Sequence, residues 1–170
     1  VTERTSWQIR LETWVAGLIE RSIPLLGICY GHQLLARAAG GTAGFHPSGP
    51  EVGTKQINRL ETCGLDPVFT SLPLSFPAHT THAQTVLTLP PQAVCLAENY
   101  HDPHHAFRVG TCAWGIQFHP EFNESIMKAY IIKQSLKLES AGINVSGLLE
   151  NVVSTPDASG MLRSFADYIE

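Results

Sequence analysis

Residues 23–33 decide the fold of this chain, and they read Ile-Pro-Leu-Leu-Gly-Ile-Cys-Tyr-Gly-His-Gln. The short apolar run over residues 23–28 is typical of a strand buried on both faces, and Pro24 lies near its start, where a missing donor is tolerated. A helix is predicted over residues 33–39, because Gly40 and Gly41 follow in the position that usually ends a helix. A buried strand that passes directly into a helix indicates half of a parallel α/β unit.

The chain before this strand has the pattern of an amphipathic helix. Its apolar residues recur at helical spacing, and Thr5 or Ser6 is a suitable N-cap. The residues expected to face the protein are Trp7, Leu11, Trp14, Val15, Leu18 and Ile19, and those expected to face water are Glu3, Arg4, Arg10, Glu12 and Glu20. Trp7 and Trp14 lie on one helical face, so we expect both to pack in the core or in an interface.

The middle of the chain has the pattern of short strands. Segments rich in Val, Thr, Ile and Phe alternate with turn residues, and several are joined by links of hairpin length, which favours antiparallel pairing. The predicted strands cover residues 51–60, 74–78, 85–89, 93–97, 106–109 and 113–118. Helices are predicted over 124–140 and 158–169, with an irregular or short helical connector over 144–155. Residues 40–44 are glycine-rich without the Lys-Ser/Thr of a phosphate-binding loop, and helix capping explains them.

Length and composition exclude several classes of protein. The chain has 170 residues, of which 44% are apolar and 15% charged, and this is typical of one folded domain with a substantial core. A net charge of −4 without basic runs argues against a nucleic-acid partner. No apolar stretch approaches the roughly 18 to 20 residues of a membrane-spanning helix. We therefore expect a soluble, cytoplasmic protein that binds neither nucleic acid nor membrane.

The other cysteines and a histidine-rich segment give no clear metal site. Three cysteines lack a nearby helix start or basic partner and are expected to be packing residues. These are Cys63, Cys95 and Cys112. The histidine-rich segment is interpreted as a solvated hairpin loop, because no carboxylate or thiol at ligand spacing joins it. Its candidate ligands are His101, Asp102, His104 and His105. The sequence therefore predicts neither a metal nor an organic cofactor.

Cys29 lies between the predicted strand and helix, flanked by Gly27 and Gly31. A glycine on each side of a nucleophile is typical of a strained strand-to-helix turn, where strand and helix pass close to each other. Such a turn presents the side chain at the carboxyl edge of the sheet, where open α/β sheets bind ligands, and the start of a helix favours a thiolate. The alternative is that Cys29 is a small core residue, as free cysteines often are.

A second pattern, His119-Pro120-Glu121, follows the last predicted strand. Pro120 restricts His119 to an extended conformation, in which residues two apart face the same way. Glu121 is therefore expected to orient the imidazole while its other nitrogen faces a thiol. A nucleophile, a base and an orienting acid are the groups that acyl transfer needs. The alternative is a histidine at a strand end beside a surface glutamate.

The two patterns together resemble the signature motifs of the class I (triad) glutamine amidotransferases. The matching stretches are residues 27–33 and 115–121, and the likeness is to stand-alone, GMP-synthetase-like glutaminase domains. The resemblance covers residues 7–122. It implies an α/β fold, a flavodoxin-like three-layer sandwich with a mostly parallel sheet and additional antiparallel strands.

A third matching segment lies between the two motifs. In this family it carries an S-H-x-D-x-V pattern that lines the glutamine site. His82 and Val86 fit the pattern, whereas Thr81 and Gln84 stand where Ser and Asp are common.

The resemblance implies a role for each matching residue. Cys29 would attack the side-chain amide of glutamine to form a γ-glutamyl thioester, His119 would protonate the leaving ammonia and then activate water, and Glu121 would orient His119. The backbone N–H of Tyr30 would stabilise the oxyanion. Gln33 and the backbone of Ala83 and Gln84 would hold the substrate. The implied substrate-binding residues are thus Tyr30, Gln33, His82, Ala83 and Gln84.

The resemblance also implies a second oxyanion donor on a glycine-rich loop before Cys29. Only one helix precedes the predicted strand and the chain begins with Val1, so we expect the natural protein to be longer, with further N-terminal strands. Residues 1–170 are expected to form one domain, with a core over about 7–122 and a helical extension over 123–170.

Three activities remain open at this point. The first is hydrolysis of glutamine, with the ammonia passed to an acceptor that a separate synthetase subunit could supply. The second is a γ-glutamyl hydrolase or peptidase, because the same thioester forms when the leaving amine is larger than ammonia. The third is a non-catalytic relic that serves as a binding module.

Overall fold

The computed structural model describes residues 1–3 and 5–170, so Arg4, predicted to face water, lies outside the described residues. The strands are β1 (Leu25–Ile28), β2 (Thr42–Phe45), β3 (Glu51–Arg59), β4 (Ser75–His82), β5 (Gln84–Thr88), β6 (Val94–Glu98), β7 (Ala106–Val109) and β8 (Ala113–Ile116). The α-helices are α1 (Ser6–Glu20), α2 (Tyr30–Ala38), α3 (Glu124–Lys133), α4 (Ser135–Ser140), α5 (Val145–Glu150) and α6 (Pro156–Ile169).

The main sheet is mixed. Its strand order is β1-β8-β7-β6-β3-β4, while β2 and β5 form a second sheet of two strands. The predicted α/β fold with additional antiparallel strands is confirmed, but the parallel share is smaller than expected, because among the described residues only β1 and β8 pair in parallel. Short links join β6 to β7 and β7 to β8. A short link can only reverse the direction of the chain, so these strands pair antiparallel, whereas a parallel pair needs a long crossover.

Helices cover both faces of the main sheet. On one face, α1 and α2 pack through Val15 and Leu35 against Ala113 of β8. On the other face, Met161 of α6 belongs to the same buried cluster as Trp114 of β8. A third cluster packs the helices α3, α4 and α5 beside β3, and its buried members are Val52, Phe122, Met127, Ile131, Leu138 and Val152. This is the three-layer arrangement that the family resemblance implies.

The helix α1 begins where the sequence predicts, with Thr5 as its N-cap. The side chain of Gln8 accepts a hydrogen bond from the backbone N–H of Thr5 at 2.8 Å, which is one half of a capping box. Val15 and Leu18 are buried, as expected.

The tryptophans of α1 do not pack in the core, so of the two expected alternatives only packing in an interface stays a prediction. Trp14 is 56% exposed and Trp7 is 51% exposed, although the Trp7 ring approaches that of Tyr30 with 6.1 Å between centroids. The buried face of α1 includes Gln8 and Val15. Since neighbouring residues are about 100° apart around a helix, a face that buries Val15 turns Trp14 towards solvent.

The strand β2 is absent from the sequence-based prediction, which assigned residues 40–44 to helix capping. Gly40, with φ of 93°, does follow the end of α2. The chain then passes so close to β5 that a Cβ on Gly41 would lie 2.6 Å from the backbone oxygen of Thr88. Residues 42–45 continue as β2 and pair antiparallel with β5. The glycines therefore permit a strand pair as well as a helix end.

The C-terminal third is helical, as predicted, with different boundaries. The helix predicted over 124–140 is divided into α3 and α4, which meet at Gln134. The predicted connector contains α5, and α6 begins at Pro156, which suits the first position of a helix. No helix among the described residues has the length and apolar character needed to cross a membrane.

Candidate active site at the strand-to-helix turn

Cys29 lies in a strained turn between β1 and α2. Its φ is 50° and its ψ is −97°, and it is the N-cap residue of α2. Its backbone N–H donates to the carbonyl oxygen of Ile116 at 2.8 Å, which ties the turn to the end of β8. A positive φ is uncommon for a residue other than glycine and is characteristic of functional sites. The geometry is that of the predicted nucleophile turn.

The two glycines that flank Cys29 are not equivalent. A Cβ on Gly27 would lie 2.5 Å from the carbonyl oxygen of Gly31, so only glycine fits there. A Cβ on Gly31 would meet no described atom within 4 Å. The expectation that the turn requires both glycines is therefore wrong: close passage of strand and helix constrains Gly27 alone.

His119 and Glu121 lie beyond the end of β8, and β8 runs parallel to β1. Nδ1 of His119 is 2.7 Å from Oε1 of Glu121, so the predicted pair is present. A turn, in which the backbone N–H of Phe122 donates to the carbonyl oxygen of His119 at 3.3 Å, brings the two side chains together, and not the extended strand that was expected. The backbone N–H of His119 donates to the carbonyl oxygen of His79 at 2.8 Å, and the Phe122 ring stacks on the imidazole at 4.2 Å. Glu121 and Phe122 therefore hold the imidazole, while the hydrogen bond to His79 fixes the backbone of His119.

The pKa of His119 depends on Cys29 and on Glu121. Burial lowers the pKa of His119, but the hydrogen bond and charge of Cys29, together with Glu121, outweigh burial and raise that pKa to about 9. Nε2 of His119 is buried and has no hydrogen-bond partner among the described residues. Below about pH 9 the imidazole is thus protonated and can donate a proton.

A cavity of about 280 Å³ opens beside Cys29. This is close to the lower end of the usual range for ligand pockets, roughly 300–1,000 Å³. The residues that line it include all the predicted substrate-binding positions, and the set is Val1, Cys29, Tyr30, Gln33, Phe45, His82, Ala83 and Gln84. Tyr30 is the first residue of α2, so its backbone N–H has no acceptor within the helix and is free to stabilise an anion. Phe45, on β2, was missed because β2 itself was missed.

The side chain of Gln33 is almost fully engaged within the protein. Its amide nitrogen donates to the carbonyl oxygen of Gln84 at 2.6 Å and to Oε1 of Gln117 at 3.1 Å. Gln33 therefore fixes the wall of the cavity as well as facing it.

The imidazole of His82 lies behind that wall, with 1% of its side chain exposed. Its Nδ1 is 3.1 Å from the carbonyl oxygen of Gln84, and its Nε2 is 3.1 Å from Oε2 of Glu51. Both ring nitrogens thus face oxygen atoms of the protein. His82 supports the backbone of the cavity wall rather than reaching into the cavity.

Glu51 joins His82 and His105 in a buried cluster that the sequence did not predict. Its Oε2 accepts from Nε2 of both histidines, at 3.1 and 3.0 Å, and its Oε1 accepts from Asn99 at 2.7 Å. Burial raises the pKa of Glu51, but the hydrogen bonds from His105 and His82 prevail and hold that pKa well below its usual range. The donor atoms lie within 4.8 Å of one another and could hold a metal ion, yet the hydrogen bonds among them satisfy these atoms directly.

The interpretation of the histidine-rich segment as a solvated loop is wrong. His105 and Asp102 are fully buried. Nδ1 of His104 is 2.7 Å from the carbonyl oxygen of Val86, and the Asp102 carboxylate accepts from the hydroxyl of Thr85. The segment is drawn inward because its polar partners come from β3 and β5, far away in the sequence.

Gln117 is a further residue at the site that the sequence analysis missed. Its Nε2 donates to the sulfur of Cys29 at 3.4 Å, and its side chain is fully buried. The available signal was its position: Gln117, His119 and Glu121 alternate along the chain.

The other cysteines lie away from this site and were expected to be packing residues. Cys63 is fully buried and donates to the carbonyl oxygen of Leu96. Burial raises the pKa of the Cys63 thiol to about 11, and it does the same for Cys95. Cys112 is also buried.

Comparison with known proteins places these features in a family. The sequence model described as Glutamine amidotransferase class-I matches residues 7–138. The chain is 33% identical over 152 residues to a glutamine-hydrolyzing GMP synthase of Aeropyrum pernix, and the match covers 86% of this chain and 29% of that protein. It is 33% identical over 129 residues to gamma-glutamyl peptidase 5 of Arabidopsis thaliana, covering 71% of this chain and 49% of that protein.

The fold agrees with a solved structure. A glutamine amidotransferase from Thermotoga maritima matches with a TM-score of 0.81 and 26% identity, over 98% of this chain and 71% of that one. The chain spans less than a third of the GMP synthase and about half of the peptidase. The family match, the fold and the turn around Cys29 agree: the chain belongs to the class I glutamine amidotransferase family.

Proposed function

We propose that this chain hydrolyses the side-chain amide of glutamine through a thioester on Cys29. The observation that carries the proposal is the meeting of Cys29, in its strained turn, with the His119–Glu121 pair. Cys29, His119 and Glu121 would be the nucleophile, the general acid and base, and the orienting carboxylate. The family membership supports an enzyme of this class.

The chemistry follows from the protonation of His119. The imidazolium beside Cys29 favours the thiolate, which attacks the amide carbon of glutamine, and the oxyanion that forms accepts a hydrogen bond from the backbone N–H of Tyr30. The carbon–nitrogen bond then breaks, and His119 gives its proton to the leaving ammonia. The neutral imidazole next takes a proton from water, the water oxygen attacks the thioester, and the carbon–sulfur bond breaks. Glutamate leaves, and the thiolate and imidazolium are restored.

Glutamine would lie in the 280 Å³ cavity. The backbone of Ala83 and Gln84 would hold its α-amino and α-carboxyl groups, and Gln33 would hold the wall in place. His82 would act through the carbonyl oxygen of Gln84. A second oxyanion donor, on a loop before Cys29, stays a prediction.

The test is glutamine turnover, measured as glutamate and ammonia in equal amounts. Cys29→Ala should lower turnover by roughly 10⁴-fold or more, since the covalent intermediate can no longer form. Cys95→Ala is the matched control, because it removes a thiol that bonds to the backbone elsewhere, and it should retain activity. Full activity of Cys29→Ala would contradict the proposal.

Covalent labelling separates an enzyme from a non-catalytic relic. A diazo-ketone analogue of glutamine should modify Cys29 rapidly and stoichiometrically if the site is organised for attack. Labelling of Cys29 no faster than that of Cys95 would favour the relic.

A γ-glutamyl hydrolase or peptidase is the second candidate, and the likeness to gamma-glutamyl peptidase 5 favours it. The cavity beside Cys29 is open to solvent, so a leaving amine larger than ammonia could be accommodated. Comparison of kcat/KM for glutamine with that for γ-glutamyl dipeptides decides between the two activities.

The acceptor of ammonia is a separate proposal. The match covers 29% of the Aeropyrum pernix GMP synthase, so a synthetase activity would belong to residues or a subunit beyond these 170.

We also propose that residues 1–170 form one domain, with a core over about 7–122 and a helical extension over 123–170, and that the protein is located in the cytoplasm. Limited proteolysis would test the domain boundaries.

A further inference from the structure

The side chain of Gln117 joins the sulfur of Cys29 to the wall of the cavity. Its Nε2 is 3.4 Å from the sulfur, and its Oε1 accepts from Nε2 of Gln33 at 3.1 Å. Gln117 is fully buried and Gln33 is 4% exposed, so water does not compete for these hydrogen bonds. The backbone N–H of Gln117 donates to the carbonyl oxygen of His105 at 2.8 Å, which fixes the main chain at this point.

The orientation of the Gln117 amide is determined by its surroundings. Nε2 of Gln33 lies 2.6 Å from the carbonyl oxygen of Gln84, and a carbonyl oxygen can only accept. The nitrogen end of Gln33 must therefore point there, and its second hydrogen faces Gln117. Only the oxygen of Gln117 can accept that hydrogen, so the nitrogen of Gln117 is the end that faces Cys29. A flipped amide would place two NH₂ groups against each other.

We propose that Gln117 is a further catalytic residue, whose side-chain amide donates a hydrogen bond to the Cys29 thiolate and holds the sulfur in the position for attack. The role rests on the proposed function of Cys29 as nucleophile. A hydrogen bond to a charged acceptor is roughly twice as strong as one between neutral groups, so the amide favours the thiolate over the thiol. It weakens when the sulfur becomes a neutral thioester and strengthens again when the thiolate is released.

Other groups near the sulfur also influence its ionisation. His119 faces it from the segment after β8, with Glu121 behind the imidazole. Tyr30 and His82 line the cavity from α2 and β4. These groups are unchanged when Gln117 alone is replaced, so a variant at this position isolates the contribution of the amide.

The experiment measures alkylation of Cys29 by iodoacetamide as a function of pH. Gln117→Met keeps the size of the side chain and removes the donor, and Gln117→Glu keeps the acceptor for Gln33 while placing a carboxylate oxygen towards the sulfur. In both variants the pH midpoint of alkylation should rise, by roughly one unit for Gln117→Met, which is about a tenfold loss of thiolate at a fixed pH below the midpoint. The rate on the high-pH plateau should be equal or higher, because a more basic thiolate is a better nucleophile.

Gln134→Met is the matched control, since the Gln134 amide bonds to Thr81 and does not contact Cys29, and its midpoint should equal that of the unchanged protein. A midpoint that stays the same in folded Gln117→Met and Gln117→Glu proteins would overturn the inference. Alkylation requires no turnover of glutamine. If the midpoint shifts in the Gln117 variants but the unchanged protein does not hydrolyse glutamine, the proposed function is refuted and the hydrogen bond is established. If the unchanged protein hydrolyses glutamine but the midpoint does not shift in the variants, the role of Gln117 alone is refuted.

Discussion

Replacement of Glu121 by Gln tests how the protonation of His119 is controlled. The carboxylate oxygen of Glu121 lies 2.7 Å from Nδ1 of His119, and it is one of two groups that raise the pKa of the imidazole to about 9. The amide of Gln keeps the shape and a hydrogen-bond acceptor but removes the negative charge. The pKa of His119 should therefore fall, while Cys29 continues to raise it.

The size of the change follows from the exposure of the two side chains. Glu121 is 42% exposed and His119 is 12% exposed, so solvent screens much of the interaction between their charges. Partly exposed ion pairs contribute up to about 1 kcal/mol, and one pH unit corresponds to about 1.4 kcal/mol. With the charge-assisted hydrogen bond included, we expect the pKa of His119 to fall by roughly one unit, to about 8.

The assay is the pH dependence of glutamine hydrolysis, with the His119 ring followed in parallel by proton NMR. Because His119 must be protonated to release ammonia, the rate should decline as the pH rises through its pKa, and the decline should begin about one unit earlier in Glu121→Gln. Glu124→Gln is a matched control at the start of α3 and should leave the decline in place. A decline at an unchanged or higher pH in folded Glu121→Gln would refute the reasoning.

Two further predictions concern stability. Gly27→Ala places a Cβ 2.5 Å from the carbonyl oxygen of Gly31 and should destabilise the fold by roughly 2 kcal/mol or more. Gly31→Ala places a Cβ in open space on α2 and should be neutral or stabilising by up to about 1 kcal/mol. Urea unfolding measures the stability of both variants, and equal losses would contradict the steric argument. Glu51→Gln removes a buried carboxylate that is hydrogen-bonded to His82, His105 and Asn99 and should cost about 3 kcal/mol near neutral pH, whereas exposed Glu61→Gln should cost little. Because the pKa of Glu51 is depressed in the folded state, the stability that its carboxylate contributes is present above the ordinary value of 4.5 and is lost as the pH falls. The difference in stability between Glu51→Gln and the unchanged protein should therefore shrink in acid, and a constant difference would exclude the ionised carboxylate as its source.

The candidate site was predictable where its residues are close in sequence or carry a local pattern. Cys29 stands out because a strained turn needs Gly27, and the pairing of His119 with Glu121 follows from a spacing of two residues. The strands other than β2 were predictable for a similar reason, since Pro, Gly, Asn and Asp separate them in the sequence. Local stereochemistry determined these features, and local stereochemistry can be read from the sequence.

The buried polar contacts were not predictable, because their partners are distant in sequence. Glu51 meets His105 and His82 only after β3, β4 and the segment before β7 have assembled. Without that assembly, a segment with three histidines and an aspartate has the composition of a solvated loop. The exposure of Trp14 was not predictable for a related reason. Helical spacing identifies an apolar stripe on α1, but the contacts of α1 with the rest of the fold determine which residues of that stripe are buried.

The register of β1 against β8 determines where insertions can be tolerated. Ile28 pairs with Ile116, so Cys29 and Gln117 leave the two parallel strands at the same level. One residue inserted between Ile116 and Glu121 would lengthen the link between β8 and the His119–Glu121 pair by up to about 3.3 Å and so displace the pair from Cys29. The turn around Gly110 lies at the other end of β8, where added residues leave this register unchanged. Loop grafts and length variants should therefore be accepted near Gly110, whereas the five residues after Ile116 should keep their number.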